Sequence, residues 1–390
     1  MRIGIDAGCW GNRRGFGRFT RCLVSEMVAR DERNDYVMVV DEPTLADPAC
    51  LPLPAGAEHR VAPVRTAPAR AAAAAGSRAP LDLARMAWAA SRARCDVFFF
   101  PATYSWFPVL GAPIVVTIHD AIAEQMPELT LASRADRLRW WLKQSAALRQ
   151  ARLVVTVSEA SRQAVKANLG VPEERLRVVR EAAAPGFKPL GPRQRHALLS
   201  RFGLGDQPYL LYVGGISPHK NLAVLIDAFS KVALDHPGVR LVLAGDRKDD
   251  PFLSSAASVG AAAASSPACD RIHFTGFVTD AELVALYGGA VATALPSLAE
   301  GFGLTAAESS ACGTPVVASR DAALVELLGD AGLYGRADSP ADFAEHFDRL
   351  LADPSHRESL CRAVLARSAT WSWARAADDT VAILEEVSRG

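Results

Sequence analysis

The sequence predicts an α/β protein made of two parallel-sheet domains in tandem. Three observations carry that prediction. Short apolar runs alternate with stretches of helical periodicity, the pattern of parallel strands joined by crossover helices. The alternation runs through twice, each time opening with a strand, a glycine-rich loop and a helix. A length of 390 residues is also more than one hydrophobic core normally holds.

In the first series, Arg2–Asp6 reads as a strand and Arg18–Arg30 as an amphipathic helix. Tyr36–Val40 reads as a second strand ending at Asp41. Residues 43–80 hold many prolines and the run Ala71–Ala75, which predicts irregular structure. Three further strands follow at Asp96–Phe100, Ile114–Ile118 and Leu153–Val157, with a long helix from about Ser133 to Arg152 before the last. The uncharged stretch Val97 to Ile118 is long enough to span a bilayer, but Pro101, Pro108, Gly111 and Pro113 divide it into two buried strands and a loop.

The Pro/Gly-rich stretch Pro185–Pro192 reads as the linker. The expected division is 1–188, 189–370 and a closing helix at 371–390. The second series has strands at Tyr209–Val213, Arg240–Ala244, His273–Thr275, Ala290–Leu295 and Pro315–Ala318, with a helix at Leu222–Leu234. The Ser/Ala-rich stretch 254–268 reads as a loop or a frayed helix.

Composition narrows the function. Half the residues are hydrophobic and 22% are charged, which excludes a disordered or collagen-like chain. Net charge is zero, yet residues 1–190 carry 26 basic and 19 acidic side chains, and the rest of the chain carries the opposite surplus. No strongly basic stripe marks a nucleic-acid partner. Seven cysteines without a C-x-x-C pair form neither a disulfide framework nor a zinc site and fit a reducing cytosol. The opening Met1–Asp6 reaches a carboxylate within six residues, unlike a signal peptide.

Glycines stand between first strand and first helix in each half, where free amides and the helix dipole favour phosphate. The first half has Gly8-Cys9-Trp10-Gly11-Asn12-Arg13-Arg14-Gly15-Phe16-Gly17-Arg18, and the second has Gly214-Gly215-Ile216-Ser217-Pro218-His219-Lys220-Asn221. Neither has the P-loop pattern or a clean G-x-G-x-x-G, and a tight turn explains each alone equally well. Glu300-Gly301-Phe302-Gly303-Leu304-Thr305-Ala306-Ala307-Glu308 follows a strand and enters a helix. It flanks a Gly-x-Gly turn with two carboxylates at a strand's carboxyl end, where ligands bind in open sheets. Glu308 sits among small apolar residues and needs a hydrogen-bond donor, a role sugar hydroxyls can fill.

From about Leu210 to Glu326 the chain resembles the retaining glycosyltransferases of family 4. The motifs are Glu300…Glu308, Tyr212-Val213-Gly214-Gly215 with Lys220-Asn221, Phe274-Thr275-Gly276-Phe277, and Ala311-Cys312-Gly313-Thr314-Pro315-Val316-Val317-Ala318-Ser319. The first half matches through Gly15-Phe16-Gly17-Arg18, Thr117-Ile118-His119-Asp120 and Thr156-Val157-Ser158-Glu159. The resemblance covers nearly the whole chain except roughly 43–80 and 247–269.

It implies the GT-B architecture, two Rossmann-like βαβ domains facing across a cleft, with the last segment a helix crossing back to the N-terminal domain. The N-terminal domain would bind the acceptor through Gly15, Phe16 and Arg18, and the C-terminal domain the nucleotide-sugar. The resemblance assigns Glu308 to the donor ribose and Glu300 to its hexose, whose hydroxyls the amides of Phe302, Gly303 and Leu304 would hold. Lys220 and Gly215 would meet the diphosphate, with Gly17 assisting on closure, and Val278 the base. His119 would sit near the transferred sugar. His119 and Glu300 are thus the expected catalytic residues.

The family often has Gly-Arg where this chain has Gly214-Gly215, so the usual phosphate-binding arginine is missing. Gly-Gly is common among its mannosyltransferases, which tilts the expected donor toward GDP-mannose. Front-face attack is expected, with Glu300 as covalent nucleophile the lesser reading. No metal or other cofactor is expected, since Asp249-Asp250 is not a D-x-D pair.

The acceptor is a saccharide, a lipid-linked sugar or a small molecule, and the protein is cytoplasmic. Arg134, Arg137, Arg139, Lys143, Arg149 and Arg152, with Trp140-Trp141, form a basic helix. It either rests peripherally on the inner face of the membrane or packs its tryptophans inward and solvates its arginines. Two other readings compete: a non-catalytic nucleotide-sugar-binding subunit, and an NAD-dependent oxidoreductase using Gly15-Phe16-Gly17 and Asp41. The second lacks the third glycine at the required spacing.

Overall fold

The computed structural model describes residues 1–13, 15–47, 50–65, 76, 78–204, 207–245 and 254–390. The alanine run 71–75 and the pair Asp249-Asp250 lie outside the described residues. The chain forms two compact units, Met1–Glu181 together with Ser372–Gly390, and Ala182–Trp371.

The first unit is built on a parallel sheet in the order β3-β2-β1-β4-β5-β6-β7. Its strands are β1 (Arg2–Asp6), β2 (Asp35–Asp41), β3 (Ala57–Ala62), β4 (Val97–Phe100), β5 (Ile114–Thr117), β6 (Ala151–Thr156) and β7 (Leu176–Val178). The central strands are covered on both faces, so they read as unbroken apolar runs: Val97, Phe98, Phe99 and Phe100 are all fully buried. Edge strand β3 carries Glu58, His59 and Arg60 outward, and Arg2 pairs with Glu58 across the sheet.

Right-handed crossovers place helices on both faces. The helix Gly15–Arg30 lies on one face, where the last helix, Trp373–Arg389, packs against it. Phe19 and Trp373 meet edge to face at 5.8 Å. On the other face, the helices Pro80–Arg92, Arg134–Gln150 and Glu159–Leu169 cover one core through Met86, Ala89, Leu148 and Val165 against Phe98, Phe100 and Val154.

The second unit has a parallel sheet in the order β10-β9-β8-β11-β12-β13. Its strands are β8 (Tyr209–Val213), β9 (Arg240–Ala244), β10 (Ile272–Gly276), β11 (Ala292–Leu295), β12 (Val316–Ser319) and β13 (Leu333–Gly335). One face is covered by Leu225 and Phe229 with Phe343 and Phe347, the other by Leu283, Leu286 and Tyr287 with Phe187.

The sequence reading differs from this fold in three edge strands and a helix. It contains no strand at β3, β7 or β13. Each is an edge strand; β7 and β13 are three residues long, and β3 is polar. The Ser/Ala-rich stretch is a formed helix over Ala256–Ser265, which buries Val259 and Ala263 against the core. Alanine's helix propensity and that contact outweigh the serines.

Trp373 is buried against Phe19, so Trp373→Ala is expected to cost about 3–5 kcal/mol of the first unit's stability. Chemical denaturation of the full chain measures it. A loss no larger than that of Trp371→Ala, a half-buried position, would contradict this packing.

Candidate active site

In each sheet the strand order reverses once, between β1 and β4 and between β8 and β11. Loops leaving the carboxyl ends of two such strands diverge and open a crevice, the usual ligand position in open α/β sheets. Most of the residues singled out in the sequence fall on these loops or on the first turn of the helices that follow them.

In the second unit the loop after β8 ends in the 3-10 turn Pro218–Lys220, closed by Asn221 in the left-handed conformation (φ 56°). Asparagine tolerates this geometry, and its side chain is put to use. Asn221 Nδ2 donates to the carbonyls of Pro296 (3.1 Å) and Ala337 (2.7 Å), tying together the loops after β11 and β13. The Leu298 amide donates to the His219 carbonyl at 2.8 Å, which joins the two loops flanking the crevice.

That frame brings Lys220 and Glu300 together. Lys220 Nζ donates to Glu300 Oε1 at 2.7 Å, and Ser297 Oγ donates to the same oxygen at 2.6 Å. Burial pushes the Glu300 carboxyl up, but the charge and hydrogen bond of Lys220, with the Ser297 bond, outweigh it and hold the group below the usual carboxylate range. Glu300 is therefore an anion at neutral pH. His219 is buried beside the pair, its Nδ1 without a partner among the described residues. Burial, then the charge of Lys220, lowers its pKa to about 4, so the ring is neutral.

The helix Leu304–Ala311 starts at Gly303, whose φ of 92° favours glycine, and a Cβ there would stand 2.6 Å from Leu324 Cδ2. No side chain caps this helix, and the amides of Phe302, Gly303 and Leu304 have no partner among the described residues. They present three donors and the positive end of a helix dipole beside Glu300. Glu308 lies buried in the same helix and accepts from Tyr287 Oη at 3.1 Å. Val278 is half-buried just after β10 and is followed by a Thr279/Glu282 capping box that fixes its turn. Lys220, Glu300 and the amides of residues 302–304 thus stand at the switch point of this one sheet, with Glu308 one turn further along the same helix. Gly215 leaves β8 on the same side, its carbonyl accepting from Tyr212 Oη at 2.6 Å.

In the first unit Gly15, Phe16, Gly17 and Arg18 open the helix Gly15–Arg30 after the β1 loop. A Cβ on Gly17 would stand 2.0 Å from the Asn12 carbonyl oxygen, so only glycine fits beneath that loop. Arg21 Nη1 clamps the loop from below, donating to the carbonyls of Trp10 and Asn12, both at 2.6 Å. Phe16 packs on Tyr104, which follows β4, with ring centroids 4.9 Å apart. Cys9 and Trp10 are buried: the Cys9 thiol contacts Ser105 Oγ at 3.2 Å, and burial pushes its pKa up to about 12. It is no nucleophile.

His119 follows β5 with both ring nitrogens engaged. Nε2 lies 2.9 Å from the Pro101 carbonyl and Nδ1 3.3 Å from Glu181 Oε1. A carbonyl can only accept, so Nε2 is the donor to Pro101. The ring also meets Phe19 edge to face at 4.7 Å. Of the two tryptophans at 140 and 141, Trp140 packs inward and Trp141 points outward, so the inward packing expected of both holds for one of them.

Sequence reasoning missed Ser297, Tyr287, Glu181 and Arg21. Ser297 lies two residues past the expected strand Ala290–Leu295, which was the one available signal. The others sit in no motif and meet their partners only in the folded chain.

Comparison with known proteins bears on the family and the fold. Residues 200–364 match the family model described as glycosyl transferases group 1, and residues 14–182 match that of glycosyltransferase family 4. The O-antigen chain mannosyltransferase B of Escherichia coli is 30% identical over 300 residues, 76% of each chain. The α-D-kanosaminyltransferase of Streptomyces kanamyceticus is 29% identical over 305 residues, again 76% of each. The crystal structure of Anabaena Alr3699/HepE in complex with UDP and glucose aligns with a TM-score of 0.74 at 19% identity, covering 99% of this chain and 100% of that one.

His219 gives a pH signature. The unfolded chain takes up a proton near pH 6.5, whereas the folded chain resists until about 4. The unfolded state therefore holds more protons between these values, and stability falls as pH drops through that window, by up to about 3 kcal/mol. Urea unfolding at about pH 7 and about pH 4.5 is expected to show a smaller acid loss in His219→Gln than in the wild type. Equal losses would contradict the buried neutral ring.

Proposed function

The chain belongs to the family 4 glycosyltransferases with the GT-B fold, and from that premise we propose that it is a retaining hexosyltransferase using a nucleoside-diphosphate sugar, mannose favoured. The acceptor is a hydroxyl of a saccharide, a lipid-linked sugar or a small molecule. The observation that carries this reading is the grouping of Lys220, Glu300 and the amides of residues 302–304, unpartnered among the described residues, at the switch point of the second unit, with Glu308 one turn along the same helix.

Each part of that crevice suits one part of the donor. Lys220 faces the diphosphate, and Gly215 lets backbone approach it; Gly17 of the first unit is assigned to the same group. Glu308 grips the ribose hydroxyls and the backbone at Val278 meets the base. The amides of Phe302, Gly303 and Leu304, with Glu300, hold the hexose hydroxyls. Gly15, Phe16 and Arg18 serve the acceptor.

In the reaction the acceptor oxygen forms its bond to the anomeric carbon on the face from which the phosphate leaves. The bond from that carbon to the phosphate oxygen breaks, its electron pair stays on the phosphate, and this oxygen takes the acceptor's proton. Negative charge grows on the diphosphate, where a fixed cation and helix-end amides act most strongly. Glu300 Oε1 already accepts from Lys220 and Ser297, which favours holding hydroxyls over attacking carbon. His119, its ring nitrogens engaged, is a fixed polar group beside the transferred sugar and not the base. No metal enters this scheme.

Mannose is favoured by Gly214-Gly215 and by the mannosyltransferase among the relatives. The cytoplasmic placement belongs to the same reading and agrees with seven free cysteines. Among the described residues no helix is long and apolar enough to cross a membrane.

Thermal shift against GDP, UDP, ADP and dTDP sugars, with and without EDTA, tests the donor: GDP-mannose is expected to raise the melting temperature most, regardless of EDTA. Stabilisation that requires a metal would contradict the scheme. A donor that binds without any transfer would leave a binding subunit. Glu308→Ala is expected to weaken donor binding by about 10- to 100-fold, read by calorimetry. His119→Ala is expected to lose turnover while donor affinity is largely kept. Normal turnover in both variants would dismiss the site.

A further inference from the structure

One face of the first unit carries large apolar side chains that its own core does not use. On the helix Arg134–Gln150 the inner side is committed: Trp140 is buried, stacks on Tyr104 at 5.4 Å and donates Nε1 to Glu124 at 2.7 Å. The outer side presents Leu138, Trp141 and Leu142, each more than half exposed and spaced to share one helical stripe. Arg134, Arg137 and Arg149 are exposed around that stripe. The helix holds five cationic residues and one acid, Asp136, which is paired with Arg139 and bonded to Ser133. Leu110 is also more than half exposed, in a loop tied to the helix end by the hydrogen bond between Gln150 and the Val109 carbonyl.

Another helix on the same sheet face repeats the pattern. On Pro80–Arg92, Leu81 and Trp88 are seven residues apart and both more than half exposed, and the Arg92 guanidinium stands 4.8 Å over the Trp88 ring. Of the chain's seven tryptophans, the two that are more than half exposed both lie on this layer.

We propose that this helix layer docks on an anionic phospholipid bilayer. Exposed leucines surrounded by arginines that have no ion pair among the described residues match the boundary between acyl chains and charged headgroups, and tryptophan suits the same depth. The charge also selects the occupant. A second copy docking through this face would set arginines against arginines across the two-fold axis, whereas anionic headgroups neutralise them. The bilayer is contacted without any segment crossing it. The docking surface is independent of which sugar is transferred and extends the cytoplasmic placement to the inner membrane surface.

Co-sedimentation of the full chain tests it, using vesicles of phosphatidylcholine alone and of phosphatidylcholine with phosphatidylglycerol. The chain is expected to bind the anionic vesicles, less so as salt rises. The triple variant Leu138→Ser, Trp141→Ser, Leu142→Ser is expected to lose about tenfold or more in partitioning. Arg134→Gln, Arg137→Gln, Arg149→Gln is expected to lose the preference for anionic lipid. All six positions are exposed, so both variants are expected to keep the thermal shift with nucleotide-sugar, which shows that they are folded. Wild-type protein left in the supernatant with both vesicle types would overturn the proposal, as would a triple variant that binds like the wild type. A concentration-dependent dimer abolished by the triple variant, without vesicle binding, would assign the face to a second copy and overturn it too. Vesicle binding without any nucleotide binding would instead sink the transferase reading alone.

Discussion

The ion pair between Lys220 and Glu300 is the interaction on which the candidate site depends. It spans eighty residues of sequence and joins the two loops that diverge where the sheet order reverses. Removing two charges from water is costly, and such a pair persists only when its geometry is good and the remaining valences are filled. Here Ser297 supplies a further donor, Asn221 and the Leu298 amide fasten the loops, and the neutral His219 adds no second charge. A nucleotide-sugar entering this crevice would find the cation for its diphosphate already placed, next to uncapped helix amides that need no rearrangement to meet the hexose hydroxyls.

The first unit uses the same sheet geometry with different fastenings. Asp6 ends β1, accepts from the Gly8 amide at 2.9 Å and from Ser105, and is pushed up to about 6 by burial. Its carboxylate shapes the start of the glycine loop while Arg21 holds the loop's later carbonyls. Behind the loop, His119, Phe19 and Trp373 pack ring against ring, so the last helix of the chain supports the residue expected beside the sugar. This explains why Ser372–Gly390 belongs to the first unit, although it lies next to the second in sequence.

Much of this was legible in the residues themselves. Buried parallel strands need unbroken apolar runs, so Arg2–Asp6, Tyr209–Val213 and Arg240–Ala244 show their ends directly. Edge strands lack that requirement, and with one neighbour each, β7 and β13 were too short and β3 too polar to leave a pattern to read. The motif residues of the second unit come together because a sheet's switch point gathers loop residues irrespective of their sequence separation. What stayed hidden are partners such as Tyr287 for Glu308 and Glu181 for His119. Only side-chain packing in the folded chain defines those contacts. The buried state of Cys9 and Trp10 was equally invisible, since a glycine loop reads as exposed until the fold closes over it.

The most direct test of the account is calorimetric titration of GDP and UDP, without any sugar, into the wild type and Lys220→Met. If Lys220 is the cation placed for the diphosphate, the variant loses about tenfold or more in affinity for whichever nucleotide binds, while weak binding of the bare nucleoside is unchanged. Equal diphosphate affinity in the two proteins would contradict the account and reduce the Lys220–Glu300 pair to a fastening between loops.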